Sequence, residues 1–192
     1  MKKRFVVATR NAHKVEEIRG ILSDCEIFDL SVVDDAPVVE ETGTTFLENA
    51  TLKAVAISQM TDDLVLSDDS GLEVDALNGE PGVYSSRYAG EDGNDALNNA
   101  KLLQELQGID ERIARFRCVI VLARKGEVLA HFSGAVEGSI LRKNSGVGGF
   151  GYDPLFVPVG YEQSFAELGD EVKNRLSHRA RSLEGVVAWL AE

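Results

Sequence analysis

Residues Phe116–Phe132, FRCVIVLARKGEVLAHF, contain the pattern that decides the fold class. Two apolar runs flank the dipeptide Lys125-Gly126, and this arrangement predicts a β-hairpin. Near the start of the chain, Phe5–Ala8 is predicted to be a buried strand, and residues 12–22 follow it as a helix. Because an early strand–helix unit and a later hairpin require strands of both directions, we expect an α/β fold with a mixed β-sheet flanked by helices.

The remaining elements are predicted from apolar periodicity and capping residues. Thr45 and Glu48 form a T-x-x-E capping box, which indicates where the second helix begins. The chain has no internal repeat, low-complexity tract or clear linker, so we predict one domain over residues 1–192. The other predicted elements are helices at 46–60 and 96–106, short strands at 64–66 and 155–157, and a C-terminal helix after Ser177.

Composition excludes several classes of function. The 192 residues include 20 Lys and Arg against 32 Asp and Glu, a formal net charge of -12, which argues against a nucleic-acid backbone as the main partner. The two cysteines have no metal-binding spacing and predict no disulfide framework. The apolar run behind the basic N-terminal residues is too short for a signal peptide, and no segment approaches the ~20 apolar residues of a membrane helix. We therefore expect a cytoplasmic protein.

Two predicted helix starts carry cations where the helix dipole disfavours them. The segment Thr9–Lys14, TRNAHK, follows the first strand, with Asn11 as a candidate N-cap and Lys14 in the first turn. His178 and Arg179 likewise open the last helix. Because helix N-termini present unpaired N–H groups and partial positive charge, extra cations there indicate an anionic or acceptor-rich ligand. For the first segment alone, a solvated lysine on an ordinary strand–helix turn is the alternative.

The glycine-rich stretch Ser145–Pro154, SGVGGFGYDP, formally contains G-x-G-x-x-G. A dinucleotide site is not predicted, because residues 152–154 cannot begin a helix normally and no βαβ unit surrounds the stretch. What remains is a loop whose backbone can approach a ligand closely, with Phe150 and Tyr152 available to stack on a flat ring. A turn between strands with its aromatic side chains in the core is an equally good interpretation.

Two acidic pairs complete the set of candidate ligands. Asp68 and Asp69 follow the predicted strand at 64–66, and Glu40 and Glu41 lie on a loop before the second helix. Hard carboxylate oxygens suit Mg²⁺, which binds through one or two protein carboxylates, waters and substrate phosphates. The alternative is that both pairs are solvated turn charges, which are common in so acidic a protein.

Five separated blocks resemble the non-canonical purine nucleoside triphosphate pyrophosphatases, the inosine/xanthosine triphosphate pyrophosphatases. The blocks are TRNAHKVEEI, EETGTTFLENA, SDDSGLEVDALNGEPGVYSSRYAG, GGFGYDPLF and LSHRARSL, in the order of that family and over nearly the whole chain. One departure is Arg10, where the family usually has glycine.

The resemblance implies an elongated mixed sheet with two lobes and the active site in the cleft between them. It also implies Mg²⁺-dependent hydrolysis of ITP, dITP and XTP to the monophosphate and pyrophosphate, and a homodimer.

By motif, the resemblance further implies a role for each matching residue. Asp69 would activate the water, and Glu40 with Asp69 would hold the metal, with Glu41 as a possible substitute for Glu40. The residues that would bind the phosphates are Thr9, Arg10, Asn11, Ala12, His13, Lys14 and Ser70, with Lys53 as an additional contributor. The residues that would form the base pocket are Phe150, Gly151, Tyr152, Asp153, Lys173, His178 and Arg179.

Two alternatives stay open from the sequence. A pyrophosphatase of related fold acts on other modified nucleotides, and a non-catalytic protein binds nucleotides without turnover. The base-pocket blocks fit the purine branch better, and a binding module has no use for Asp69 beside a metal.

Overall fold

Residues 2–191 are described by a computed structural model, and this part of the chain contains six β-strands and five main α-helices. The strands are β1 (Arg4–Val7), β2 (Glu26–Phe28), β3 (Leu64–Val74), β4 (Ile113–Arg124), β5 (Glu127–Ile140) and β6 (Phe156–Pro158). The helices are α1 (Ala12–Ile21), α2 (Phe46–Ser58), α3 (Asp95–Glu105), α4 (Phe165–Leu176) and α5 (His178–Leu190).

The six strands form one mixed sheet in the order β2-β1-β3-β4-β5-β6. β1 pairs in parallel with β2 and β3, whereas β5 and β6 are antiparallel. Lys125 and Gly126 join β4 to β5 with positive φ angles of 53° and 84°, as a tight hairpin turn requires. The predicted hairpin and the predicted mixed α/β sheet are therefore both confirmed.

The chain divides into two compact units, each built from separate segments. The first unit contains the residues up to Asp69, Cys118–Gly134 and the residues from Arg179 onward. The second unit contains Ser70–Arg117 and Ala135–His178. Strands β3, β4 and β5 each contribute residues to both units.

In the first unit, β1 buries side chains on both of its faces. Phe5 and Val7 pack in a cluster with apolar residues of α1, β4 and α5, and Val6 and Ala8 pack against Ile57 of α2. This alternation follows from the period-two geometry of a strand. It places α1 and α5 over one face of the sheet and α2 over the other.

The core of the second unit is rich in aromatic side chains. The Phe116 and Phe156 ring centroids are 4.7 Å apart, and Phe165 of α4 stacks on Phe156 at 5.4 Å. Leu72 of β3 and Leu102 of α3 are completely buried in the same cluster. This packing holds α4 against the sheet of the second unit.

Three features differ from the sequence prediction. β2 has three residues, and the sequence analysis missed it. α4 was also missed, and within it Gly169 has a φ of 76° and interrupts the helical backbone. The acidic pair Asp68-Asp69 was expected to follow a strand but lies inside β3, where nearby cations balance the charge.

Within the described part of the chain, no helix is both long and apolar enough to cross a membrane.

The predicted capping box at the start of α2 is confirmed and can be tested. The Thr45 hydroxyl accepts from the Glu48 N–H at 3.2 Å, and the Glu48 carboxylate accepts from the Thr45 N–H at 3.2 Å. We expect Thr45→Ala to lower the free energy of unfolding by about 1 kcal/mol in a urea titration. Thr45→Ser keeps the hydroxyl and serves as the matched control, and equal stability of the alanine variant would contradict a stabilising cap.

Candidate active site

The adjacent carboxylates of Asp68 and Asp69 point to opposite faces of β3. Both are buried, with exposed fractions of 0% and 5%. Successive strand residues alternate between faces, so Asp68 lies on the side of α1 and α5 and Asp69 on the side of α2. Each carboxylate therefore has its own set of cations, and the two are not forced to share one environment.

Asp68 accepts from two cations on its side of the sheet. Its Oδ2 lies 3.2 Å from Lys14 Nζ and 2.8 Å from Arg179 Nη2, and Arg179 also pairs with Glu17 of α1. Burial alone would raise the pKa of Asp68, but Lys14 and Arg179 hold it well below its ordinary value. The Cys118 thiol is 3.9 Å from the same oxygen, and burial and the charge of Asp68 raise its pKa to about 12. Asp68 thus stays ionised and fixes Lys14.

Asp69 is held by two residues of α2. Its Oδ2 accepts from Asn49 Nδ2 at 3.2 Å, and its Oδ1 lies 3.5 Å from Lys53 Nζ. Lys53 Nζ also lies 2.5 Å from Glu41 Oε1. Burial raises the pKa of Asp69, and this effect outweighs the opposing charge of Lys53. Asp69 is therefore a stronger base than an exposed aspartate, which the sequence did not indicate.

The start of α1 confirms the predicted N-cap. Asn11 Oδ1 accepts from the N–H groups of His13 and Lys14 at 3.0 and 3.3 Å, and Arg10 Nη2 donates to Ala36 O at 2.8 Å. Residues 10–13 are exposed, and Thr9 is half-buried. Lys14 is thus placed in the first helical turn with its ammonium on Asp68, beside a helix end that favours anions.

A second polar cluster forms around Asp153 in the second unit. Its Oδ2 accepts from Lys173 Nζ at 2.6 Å and from the Phe150 N–H at 2.8 Å. The Lys173 ammonium also lies 4.3 Å from the centre of the Phe150 ring, within the range of a cation–π contact. A Cβ at Gly149 would overlap the Asp153 carboxylate, and its φ of 72° also favours glycine. The glycine-rich loop therefore closes tightly around a buried ion pair.

The same loop is anchored by α3. Gly151 N–H donates to Asp95 Oδ2 at 2.6 Å, and Gly151 O accepts from Asn99 Nδ2 at 2.9 Å. Tyr152 is buried, and its hydroxyl donates to Ser85 O at 2.9 Å. The Tyr152 ring is therefore part of the core, while the half-buried Phe150 is the more accessible aromatic of the pair.

The remaining candidates of the predicted base pocket fall in both units. His178 stacks on Phe116 with ring centroids 4.8 Å apart and an interplanar angle of 16°, inside the second unit. Arg179 is completely buried in the first unit, where Asp68 and Glu17 engage its guanidinium. Its burial and these two partners assign Arg179 to the surroundings of Asp68.

Comparison with known proteins identifies the family. Residues 5–189 match the model of the Ham1 family. The chain belongs to the Ham1 family. A dITP/XTP pyrophosphatase of Desulforamulus reducens is 49% identical over 185 residues, which cover 94% of this chain and 92% of that protein. One of Geobacter sulfurreducens is 51% identical over 184 residues, with coverages of 94% and 92%.

Solved structures support the same family assignment. The Ham1 protein of Staphylococcus aureus is 41% identical, and that of Coxiella burnetii is 40% identical. Each has a TM-score of 0.87 with this chain, and each comparison covers 98% of both chains. The resemblance noted in the sequence and the mixed α/β fold are thereby confirmed.

Sequence reasoning missed two residues of the candidate site. Asn49 is completely buried, holds Asp69 and accepts from the Gly43 N–H at 2.8 Å. Glu17 is buried on α1 and pairs with Arg179. In the sequence, each lies beside an apolar residue of its helix, Asn49 next to Ala50 and Glu17 next to Ile18, and this was the available signal.

The residues around Lys53 fit a magnesium ion. Asp69 and Glu41 both approach the Lys53 ammonium, so their oxygens already surround a cationic group. Glu40 is exposed, and Glu41 is the member of that pair that reaches Lys53. Among residues 2–191, no group of three or more His, Cys, Asp and Glu side chains forms a closed metal site. Two carboxylates are enough for Mg²⁺ when substrate phosphates and waters supply the other ligands.

Neutralising Asp68 should destabilise the Ham1 fold. Asp68→Asn removes the carboxylate charge that Lys14 and the buried Arg179 share and leaves Arg179 paired with Glu17, which we expect to lower the free energy of unfolding by about 3 kcal/mol at pH 7. The folded-state pKa of Asp68 is depressed, so its stabilisation is present above the unfolded pKa of about 3.9 and is lost as pH falls further. Urea titrations between pH 3 and 7 should show the difference from wild type shrinking in acid; a constant difference would contradict this role.

Neutralising Asp69 should have the opposite effect. Because burial raises its folded-state pKa, ionised Asp69 costs stability above an unfolded pKa of about 3.9. Asp69→Asn keeps the side-chain size and should raise the free energy of unfolding at pH 7, with no gain below pH 4. The same titrations measure this, and destabilisation at pH 7 would show that contacts with Asn49 and Lys53 outweigh the burial of charge.

Proposed function

We propose that this protein hydrolyses ITP, dITP and XTP to the monophosphate and pyrophosphate, and so removes non-canonical purines from the nucleotide pool. The observation that carries the proposal is Asp69, a buried carboxylate with a raised pKa beside Lys53 and Glu41. Such a group suits a reaction that needs a base and a metal at one point. The names of the Desulforamulus and Geobacter relatives give the same substrate class and the same bond.

The triphosphate is assigned to the start of α1 and to the lysines of the first unit. The N–H groups and partial charge of the helix end favour the phosphates of the substrate, and Thr9–Lys14 form this region. Ser70 is included in the proposal because the resemblance to the pyrophosphatases implies it. Lys14 is held by Asp68, so its charge is positioned before substrate arrives. In the proposal Asp68 positions Lys14 and does not react itself, because its Oδ2 already forms ion pairs with Lys14 and Arg179.

Asp69 is proposed to accept the proton of the attacking water. Hydrogen bonding from Asn49 fixes one carboxylate oxygen, and burial raises the pKa of Asp69 above its ordinary value, which favours acceptance of a proton. Mg²⁺, held by Asp69 and Glu41 with Glu40 as the alternative, would supply charge neutralisation on the phosphate oxygens. Lys14 and Lys53 would balance the charge that develops on the departing pyrophosphate.

Base selection is assigned to the cluster around Asp153 and Lys173. Hypoxanthine and xanthine present a 6-oxo acceptor, which suits a lysine ammonium or a loop N–H donor. Adenine presents a 6-amino donor and would leave a buried donor unpaired, at a cost of about 1–3 kcal/mol. Phe150 offers a ring face beside the same ammonium.

Product analysis tests the reaction. We expect IMP or XMP plus pyrophosphate from ITP or XTP with Mg²⁺, and little turnover of GTP or ATP. Chromatography of the nucleotides with parallel assays for pyrophosphate and orthophosphate would show which bond breaks. A nucleoside diphosphate plus orthophosphate would place attack at the γ-phosphate and contradict the roles of Lys14 and Asp69.

Substitution of Asp69 tests the base. We expect Asp69→Asn to lower kcat at least about a hundredfold, since general bases contribute about 10²–10⁴. Nucleotide binding, measured by calorimetry with ITP in Ca²⁺, should change much less because the phosphate-binding residues remain. Near wild-type kcat at saturating substrate would remove Asp69 from the mechanism.

The homodimer is proposed from the family resemblance. Light scattering on the purified protein would measure its mass directly. A mass near 20.9 kDa, that of one chain, would contradict the dimer.

A further inference from the structure

Lys53 places a positive charge between the two carboxylates that are assigned to the metal. Its Nζ lies 2.5 Å from Glu41 Oε1 and 3.5 Å from Asp69 Oδ1. The Lys53 side chain is 12% exposed, and those of Asp69 and Glu41 are 8% and 25% exposed. In so sheltered a place the ion pair is screened far less than a surface pair.

The surroundings of this ion pair are anchored, whereas the ammonium itself is carried on a flexible stem. Asn49 holds Asp69, and its side-chain oxygen accepts from Gly43 N–H in the loop that follows Glu41. α2 is fixed at its start by the capping box. The four-carbon chain of Lys53 is the part that can change position without moving the backbone.

We propose that Lys53 is a resident counter-ion that competes with the metal for Asp69 and Glu41, and that it transfers to a substrate phosphate when the metal binds. This inference rests on the proposed function. The physical reason is charge: an ammonium and a divalent cation about 4 Å apart repel each other strongly in a poorly hydrated site. Both cannot occupy the same pair of carboxylates unless a polyanion balances them.

The consequence is a coupling between metal and nucleotide. Without phosphate, Lys53 neutralises the carboxylates, and the metal has to displace it. With phosphate present, the displaced Lys53 ammonium pairs with a phosphate oxygen, so the metal binds more tightly. Linkage requires the converse as well, so the metal tightens phosphate binding by the same factor. The affinity of the site for metal is thereby lower before a substrate arrives.

The test is a titration of the nucleotide-free protein with Mn²⁺. The electron paramagnetic resonance signal of unbound Mn²⁺ measures how much metal is bound. Lys53→Met keeps the length and apolar stem of the side chain but removes the charge. We expect it to bind Mn²⁺ at least tenfold more tightly than wild type. Lys53→Arg keeps a cation and should bind no more tightly than wild type.

Two controls make the result specific to this site. Lys125→Met removes an exposed lysine of the β4–β5 turn and should leave Mn²⁺ affinity unchanged. Adding Glu41→Gln to Lys53→Met should abolish the tenfold gain.

If near-ultraviolet circular dichroism shows that Lys53→Met folds poorly, Lys53→Gln takes its place. Mn²⁺ should then raise the melting temperature of Lys53→Gln more than that of wild type.

The possible outcomes separate this inference from the proposed function. Equal or weaker Mn²⁺ binding by Lys53→Met, with measurable binding by wild type, overturns the competition but leaves the metal site intact. Absence of Mn²⁺ binding to Lys53→Met at millimolar metal also overturns the competition, and the product analysis of wild type decides the proposed function separately. Tighter binding by Lys53→Arg as well would show that loss of packing, and not loss of competing charge, causes the gain.

Discussion

The alternation of side chains along β3 is the constraint on which the site depends. Two aspartates in succession would repel each other on one surface, but a strand sends them to opposite faces of the sheet. One face receives α1 and α5, and the other receives α2. The pKa of Asp68 is consequently lowered by nearby cations, whereas the pKa of Asp69 is raised by burial.

The two aspartates have different proposed roles: Asp68 positions a cation, and Asp69 takes part in the reaction. Asp68 stays ionised at neutral pH and holds Lys14, so the cation that is proposed to bind phosphate is positioned in the free protein. Asp69 has a raised pKa and a partner, Lys53, whose stem can move. In the proposed site, the Asp68–Lys14 pair on one face would provide a fixed charge for an anion, and the Asp69–Lys53 pair on the other face would respond to ligands.

Much of the architecture could be predicted from local pattern. The hairpin at Lys125-Gly126, the Asn11 cap and the Thr45 capping box depend on neighbours within a few residues, and all three are confirmed. The extension of β3 through Asp68 and Asp69 could not be predicted, because burial of charge in a strand depends on partners far along the chain. Arg179 lies 111 residues from Asp68, and only the fold shows that they pair.

The choice between Glu40 and Glu41 has a similar explanation. Both lie on a loop without periodic structure, so no rule of spacing decides which carboxylate turns inward. The loop is fixed from a distance by Asn49, which accepts from the Gly43 N–H, and by Lys53, which reaches Glu41. Side chains on a well-capped helix therefore organise a loop whose own sequence specifies little.

The pairing of Arg179 with Glu17 also has a consequence for the order of assembly during synthesis. These residues are 162 positions apart, and Glu17 and Lys14 lie on the same early helix. A nascent chain that has completed β1, α1 and β3 still carries Glu17 and Asp68 without their shared guanidinium. We therefore expect the docking of α5, which brings Arg179 to both acids, to be a late step in the folding of the first unit.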